Sequence, residues 1–115
     1  MTTSILEDTK KVLGIDSDAT EFDTDIVMHV NTAFFQLMQL GVGPRTGFTI
    51  TDDMATWDDF FQGRKDLEAV KSYIFVVVRL VFDRPETSYG IQALEKMRDE
   101  WAWRLEMQRR VDQDE

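Results

Sequence analysis

Apolar residues recur at helical spacing through most of this chain, and one long interruption breaks the pattern: residues 39–60, QLGVGPRTGFTITDDMATWDDF. Connections between helices usually run about 4–6 residues, and much longer ones are functional or disordered. This one holds three glycines, a proline, a tryptophan and several apolar residues. A disordered linker is polar, so these side chains should pack on something, either the chain's own helices or another subunit.

Helix signals stand on both sides of the connector. Ser4 and Glu7 form an S-x-x-E capping box, Ile5, Leu6, Thr9, Val12 and Leu13 supply a buried side, and Gly14 is a natural stop. The link that follows places Asp16, Asp18 and Thr20 at calcium-loop spacing, but Glu21 and Val27 stand where an EF-hand needs Gly and Glu. Capping and solvated charge explain it better. Asp23 or Thr24 caps a second helix over about 25–40, closed by Gly41, with Ile26, Val30, Ala33, Phe34, Leu37 and Met38 inward. Val27, Phe35 and Leu40 fall off that stripe, which predicts a helix central in its bundle or in contact with another subunit.

Beyond the connector, Thr56 or Asp58 caps a short helical turn, WDDFFQG, and Asp66 caps a helix over 67–82. Leu67, Val70, Ile74, Val77, Val78 and Val81 form its inner stripe. Val76–Val78 prefers strand, yet the helix-favouring DLEAVKSY before it and the DRP stop after it decide for helix. The last helix opens after Pro85 under Thr87 or Ser88 and runs to about residue 110. Ile91, Leu94, Met97 or Arg98, Trp101 and Leu105 form its stripe. Trp103 lies about 200° round from Trp101 at 100° per residue, with Met107 one turn further on, so the two tryptophans cannot face one core. The segment 48–51, FTIT, alternates and reads as a short strand. The expected fold is therefore all-α: a small bundle of four main helices in a single domain, 1–115, whose long connector, 41–58, carries a short β element. Residues 111–115 read as a frayed tail.

The chemistry-bearing residues are few. A chain of 115 residues with 43% apolar content suits one domain with a modest core. It has no cysteine, and His29 is its single histidine, so thiolate chemistry and His-pair metal sites are excluded. Asp25 lies four residues before His29, a spacing that suits a surface pair more than a catalytic dyad. Asp52–Asp53, Asp58–Asp59 and Asp99–Glu100 are adjacent carboxylates that diverge or are solvated, and nothing fixes them at a glycosidase separation. GVGPRTG matches neither nucleotide-binding glycine motif. No catalytic residue, metal site or cofactor is expected, and the chain does not read as an enzyme. A net charge of −9, from 22 acidic and 13 basic residues, argues against gripping nucleic acid or an anionic membrane. The N-terminus lacks a basic segment leading into an apolar stretch. The longest apolar run, YIFVVVRLVF, is broken by Arg79 and falls short of the ~20 residues of a membrane span. A soluble, intracellular protein is expected.

What remains is surplus apolar surface. Val42, Phe48, Ile50, Met54 and Trp57 in the connector are expected at a subunit interface, where exposed apolar groups and tryptophan anchors concentrate. Folding back over the bundle is the competing outcome, evenly balanced for Trp57.

In the order and spacing of VLGID, FDTDIVMHVNTAFFQLMQLGVGP, GFTITDDMATWDDF and DLEAVKSYIFVVVRLVFDRP, followed by an aromatic-containing helix, the chain resembles the small head–tail connector, or adaptor, proteins of long-tailed bacteriophages and prophages. The resemblance implies a mostly helical, non-enzymatic virion protein that works at the head–tail interface and is assembled in the bacterial host cytoplasm. It implies a ring, typically dodecameric, beneath the portal protein, through which packaged DNA passes without sequence-specific binding. Such a ring also docks the next head-completion or tail protein. By the same resemblance the connector reaches toward the channel and neighbouring subunits, and the C-terminal helix, with Trp103 and Met107, contacts the portal or a subunit. A ring closes through unlike patches, and an acidic channel lets phosphate slide; Asp52, Asp53, Asp58 and Asp59 would suit its lining. The alternative is a small acidic helical regulator that binds a host or phage protein, in the manner of a DNA mimic.

Overall fold

The computed structural model describes residues 3–63 and 69–114, with side chains through residue 109. Its helices are α1 (Ile5–Val12), α2 (Asp23–Gln39), α3 (Trp57–Phe61), α4 (Ala69–Phe82) and α5 (Ser88–Asp114). The all-α class is as expected. The Asp66 cap and the helix start at Leu67 lie outside the described residues. Helix α5 runs on to Asp114, past the expected end near residue 110.

Capping residues have extended backbones, and here two of them pair. Ser4 caps α1, its hydroxyl accepting from the Glu7 N–H at 3.2 Å. Thr56 caps α3 in a reciprocal box, in which the Asp59 carboxylate accepts from the Thr56 N–H at 2.9 Å. The two caps lie antiparallel as an isolated β-bridge: Ile5 N–H donates to Ala55 O at 3.0 Å and Trp57 N–H to Thr3 O at 3.3 Å. No strand forms among the described residues, so the short β element expected at 48–51 is absent. The reason is local to Ile50. Its N–H donates to Asn31 Oδ1 at 2.7 Å, and its C=O accepts from Asn31 Nδ2 at 2.9 Å. One side-chain amide of α2 supplies the donor and acceptor that a neighbouring strand would have offered.

Helix α4 packs against both α2 and α5, and α1 rests on α2. The main core joins Val30, Phe34 and Leu37 of α2 to Val70, Ile74 and Val78 of α4, with Ile5, Leu6 and Leu105 closing it. A smaller cluster of Val76, Leu80 and Leu94, flanked by Ile91, ties α4 to α5. Tyr73 spans the α4–α2 seam by donating to Gln36 Oε1 at 2.8 Å.

Several register details differ from expectation. Because α4 has neighbours on two sides, Tyr73, Val76 and Leu80 are buried and Val81 is left exposed. On α5 the stripe passes through half-buried Arg98, not exposed Met97. On α1, Val12 is exposed and Lys10 is fully buried. The Lys10 ammonium is drawn inward by Asp23 Oδ1 at 2.9 Å and Ser17 O at 3.1 Å. Asp23 is therefore inside α2, and the N-cap position is Phe22, without a side-chain cap. The Phe22 ring instead meets Phe82 edge-on at 5.4 Å, pinning the interhelical loop to the end of α4. No helix among the described residues is long and apolar enough to cross a membrane.

Candidate assembly surfaces

The connector leaves α2 through Gly41 (φ +81°), and Val42 N–H turns back to Leu37 O at 2.9 Å. Gly43 (φ +89°) then passes directly under the Phe60 ring, where a Cβ would lie 2.6 Å from Cζ. Only glycine satisfies both the backbone angle and that approach. Phe48 follows, wedged between Phe34 and Phe60 at centroid distances of 5.0 and 5.4 Å. Trp57 ends the segment. Its indole N–H donates to Asp8 Oδ2 at 2.7 Å, while its ring stacks on Phe61 and meets Phe75 edge-on. Asp8 also accepts from the Thr3 hydroxyl, so this one carboxylate gathers the N-terminus and the connector's end.

The five apolar connector residues consequently divide. Val42, Ile50 and Trp57 lie in the chain's own core, Trp57 only 1% exposed, and Phe48 is half-buried. Met54 alone stands clear, at 77% exposure. The fold brings Val42, Phe48, Ile50 and Trp57 into one core and sets Met54 apart from them. The folded-back arrangement holds for most of the connector because α1, α2 and α4 jointly offer it an apolar seat and two polar anchors, Asn31 and Asp8.

Asp52, Asp53, Asp58 and Asp59 are all exposed, on the turn before α3 and its first helical turn. Asp52 accepts from Met54 N–H at 2.9 Å and Asp59 completes the Thr56 cap, so two of the four already shape the backbone. No cluster of acidic or histidine side chains able to hold a metal occurs among the described residues. No hydrogen bond or ion pair joins His29 to Asp25.

Among the described residues, exposed apolar side chains gather on α2 and on α5. The first runs along the outer face of α2, where Met28 and Phe35 stand beside Val27 and Thr32 in a shallow groove; Phe35 is 54% exposed. The groove continues past Asn31 to Thr46 and Phe48 of the connector. Phe35 falls off the α2 stripe in the sequence, and the helical period alone places Met28, two turns before it, on the same face. The second patch is on α5, where Trp103 (61% exposed) and Met107 project near Ala69 and Trp101. Each patch is on a face roughly opposite its own helix's core stripe, and α4 packs against both helices. Charge is divided: residues 1–63 carry eleven acidic and three basic side chains, net −8, leaving −1 for residues 64–115.

No curated protein and no solved structure matches the chain. A family profile does: that of a phage connector protein matches residues 5–112, from the first residue of α1 almost to the end of α5. The chain belongs to the phage connector protein family, and its role is a structural one in phage assembly.

Proposed function

We propose that the chain forms a ring at the portal vertex, joining the DNA-filled head to the tail and letting DNA through. The observation that carries this reading is a folded connector-family subunit that still exposes two unlike apolar patches, on α2 and on α5. A ring of identical subunits needs two different surfaces that fit each other, whereas a monomer has no use for either. Trp103 and Met107 contact the portal or a neighbouring subunit, and Met54 is a further contact at the connector's turn. Val42, Ile50 and Trp57 serve the interface indirectly, by fixing the shape that presents Met54 and the edge of Phe48. The carboxylates of Asp52, Asp53, Asp58 and Asp59 face the channel, where negative charge keeps DNA phosphate from sticking. A DNA-mimic regulator fits less well, since Asp52 and Asp59 are engaged with backbone N–H groups and do not form an extended acidic stripe.

Mass measurement of the purified chain, alone and with its portal protein, tests the reading. A ring-sized species, formed alone or on the portal, is expected. Indifference to the portal together with a permanently monomeric chain overturns it.

A further inference from the structure

We infer that residues 48–51 are one half of a β-ladder whose other half is the same segment of a second copy, paired antiparallel about a two-fold axis at Ile50. This contact does not rest on the ring reading. A two-fold pair uses the same surface on both copies and cannot extend into a ring, so it belongs to the chain before assembly.

Asn31 shows how the segment lies. Its amide engages both the N–H and the C=O of Ile50, at 2.7 and 2.9 Å. One planar amide reaches both groups only when they point the same way, as they do in an extended residue. Burial agrees: Phe48 and Ile50 turn inward while Thr49 and Thr51 are exposed, the period of a strand. The N–H and C=O groups of Thr49 and Thr51 therefore point to the opposite edge, away from α2. Neither residue makes a hydrogen bond among the described residues. The inner edge of the segment is thus filled by a side-chain amide, and the outer edge presents donors and acceptors at strand spacing. Water satisfies such groups singly; another extended backbone satisfies them as a set.

The sequence leaves this edge unprotected. Soluble proteins blunt exposed strand edges with charge or proline, and residues 46–51, TGFTIT, contain neither. Thr49, Ile50 and Thr51 are β-branched and favour pairing. Turns bound the stretch on both sides: Gly47 N–H donates to Pro44 O at 3.0 Å, and Asp52 Oδ1 accepts from Met54 N–H at 2.9 Å.

The flanking charges select the occupant and its direction. Arg45 is exposed before the segment, and Asp52 and Asp53 are exposed after it. Arg45 and Asp53 form no ion pair among the described residues. In an antiparallel pair the Arg45 end of each copy meets the Asp52–Asp53 end of the other; parallel pairing would set like charges side by side. Thr49 opposite Thr51 of the second copy, and the reverse, is the register that engages every outward group of both residues. It also makes threonine–threonine cross-strand pairs, a favourable combination. A slip of one residue would present Ile50, whose groups Asn31 already holds.

The absence of cysteine permits a register-specific test. Thr49→Cys and Thr51→Cys variants are mixed at high concentration and gently oxidised. Directly opposite residues have Cα atoms about 5.5 Å apart, within disulfide reach, whereas the two copies of one variant place theirs beyond about 7 Å. The mixed disulfide is expected in several-fold excess over either self-dimer. In the wild-type chain, exchange of the Thr49 and Thr51 amides should slow several-fold as concentration rises, while the Ile50 amide is protected throughout. Thr49→Pro removes an outward donor and no internal hydrogen bond, so it should abolish that concentration dependence and leave the melt in dilute solution unchanged. If the proline variant melts early, the disulfide ratio decides. Self-dimers as abundant as the mixed species, or Thr49 and Thr51 amides that exchange alike at all concentrations, overturn the inference. Rings on the portal from a chain that never pairs would overturn it and leave the ring reading standing. Pairing with no ring-sized species, alone or with the portal, would do the reverse.

Discussion

Replacing Asn31 by alanine tests how the connector is held. The Asn31 amide makes two hydrogen bonds to Ile50, at 2.7 and 2.9 Å, and Ile50 is buried. Alanine leaves both the N–H and the C=O of Ile50 without partners. An unsatisfied buried backbone group costs about 1–3 kcal/mol. The groove beside Asn31 and Thr49 is open on one side, which lets water reach part of the site. A total loss of about 2–4 kcal/mol is therefore expected, within the usual net stability of about 5–15 kcal/mol for a domain. Asn31→Asp keeps an acceptor for the Ile50 N–H but sets a carboxylate oxygen against the Ile50 carbonyl, so it too should lose stability, the repulsion offsetting the one bond that it keeps. Urea denaturation of the three proteins gives the ordering, and amide exchange locates it. The Ile50 amide should lose protection in Asn31→Ala while those of Val30 and Phe34 keep theirs relative to global stability. A variant within about 0.5 kcal/mol of wild type, the scatter of ordinary surface changes, with Ile50 still protected, would show that the connector does not depend on this clasp.

Trp57→Ala should cost the monomer about 3–5 kcal/mol, as for other buried aromatics, measured by denaturation in dilute solution; a loss confined to assembly would return Trp57 to the interface. Gly43→Ala combines φ +89° with a Cβ 2.6 Å from Phe60, and should destabilise by about 1–3 kcal/mol; a neutral melting temperature would show that the turn relaxes freely. Lys10→Met removes the partner of Asp23 from a fully buried site, and urea denaturation should show a loss below the about 3–5 kcal/mol of a wholly buried pair, because Asp23 is partly solvated. Burial raises the Tyr73 phenol pKa above 10.0, with Arg98 lowering it and Asp99 raising it more weakly. The unfolded chain then releases this proton first as pH climbs, so the contribution is intact below pH 10.0 and is lost as pH rises through the raised folded value. Tyr73→Phe should flatten that part of the stability–pH curve, and an unchanged curve would count against it.

The helices were readable because their determinants lie within a few residues of one another. Ser4, Gly14, Gly41, Thr56 and the DRP sequence start or stop elements through their own backbone preferences and nearest neighbours. The off-stripe positions of Phe35 and Trp103 also needed only the helical period, and both side chains are exposed. Where local rules met a competing partner they gave way. Asp23 is held by Lys10 and is not the cap of α2. Val81 is left outside because α4 has a helix on each side.

By itself, then, the sequence determined the helical class, most element ends, the acidic balance and two faces that no intrachain stripe could absorb. The tertiary structure alone decided where the connector goes. Ile50 is fixed by a residue 19 positions away and Trp57 by one 49 positions away. Alternation and apolarity are the same for a strand edge, an interface or a strap across a bundle. Only the arrival of a distant amide and a distant carboxylate distinguishes them, since a buried polar backbone or indole group must settle where its hydrogen-bond partner is.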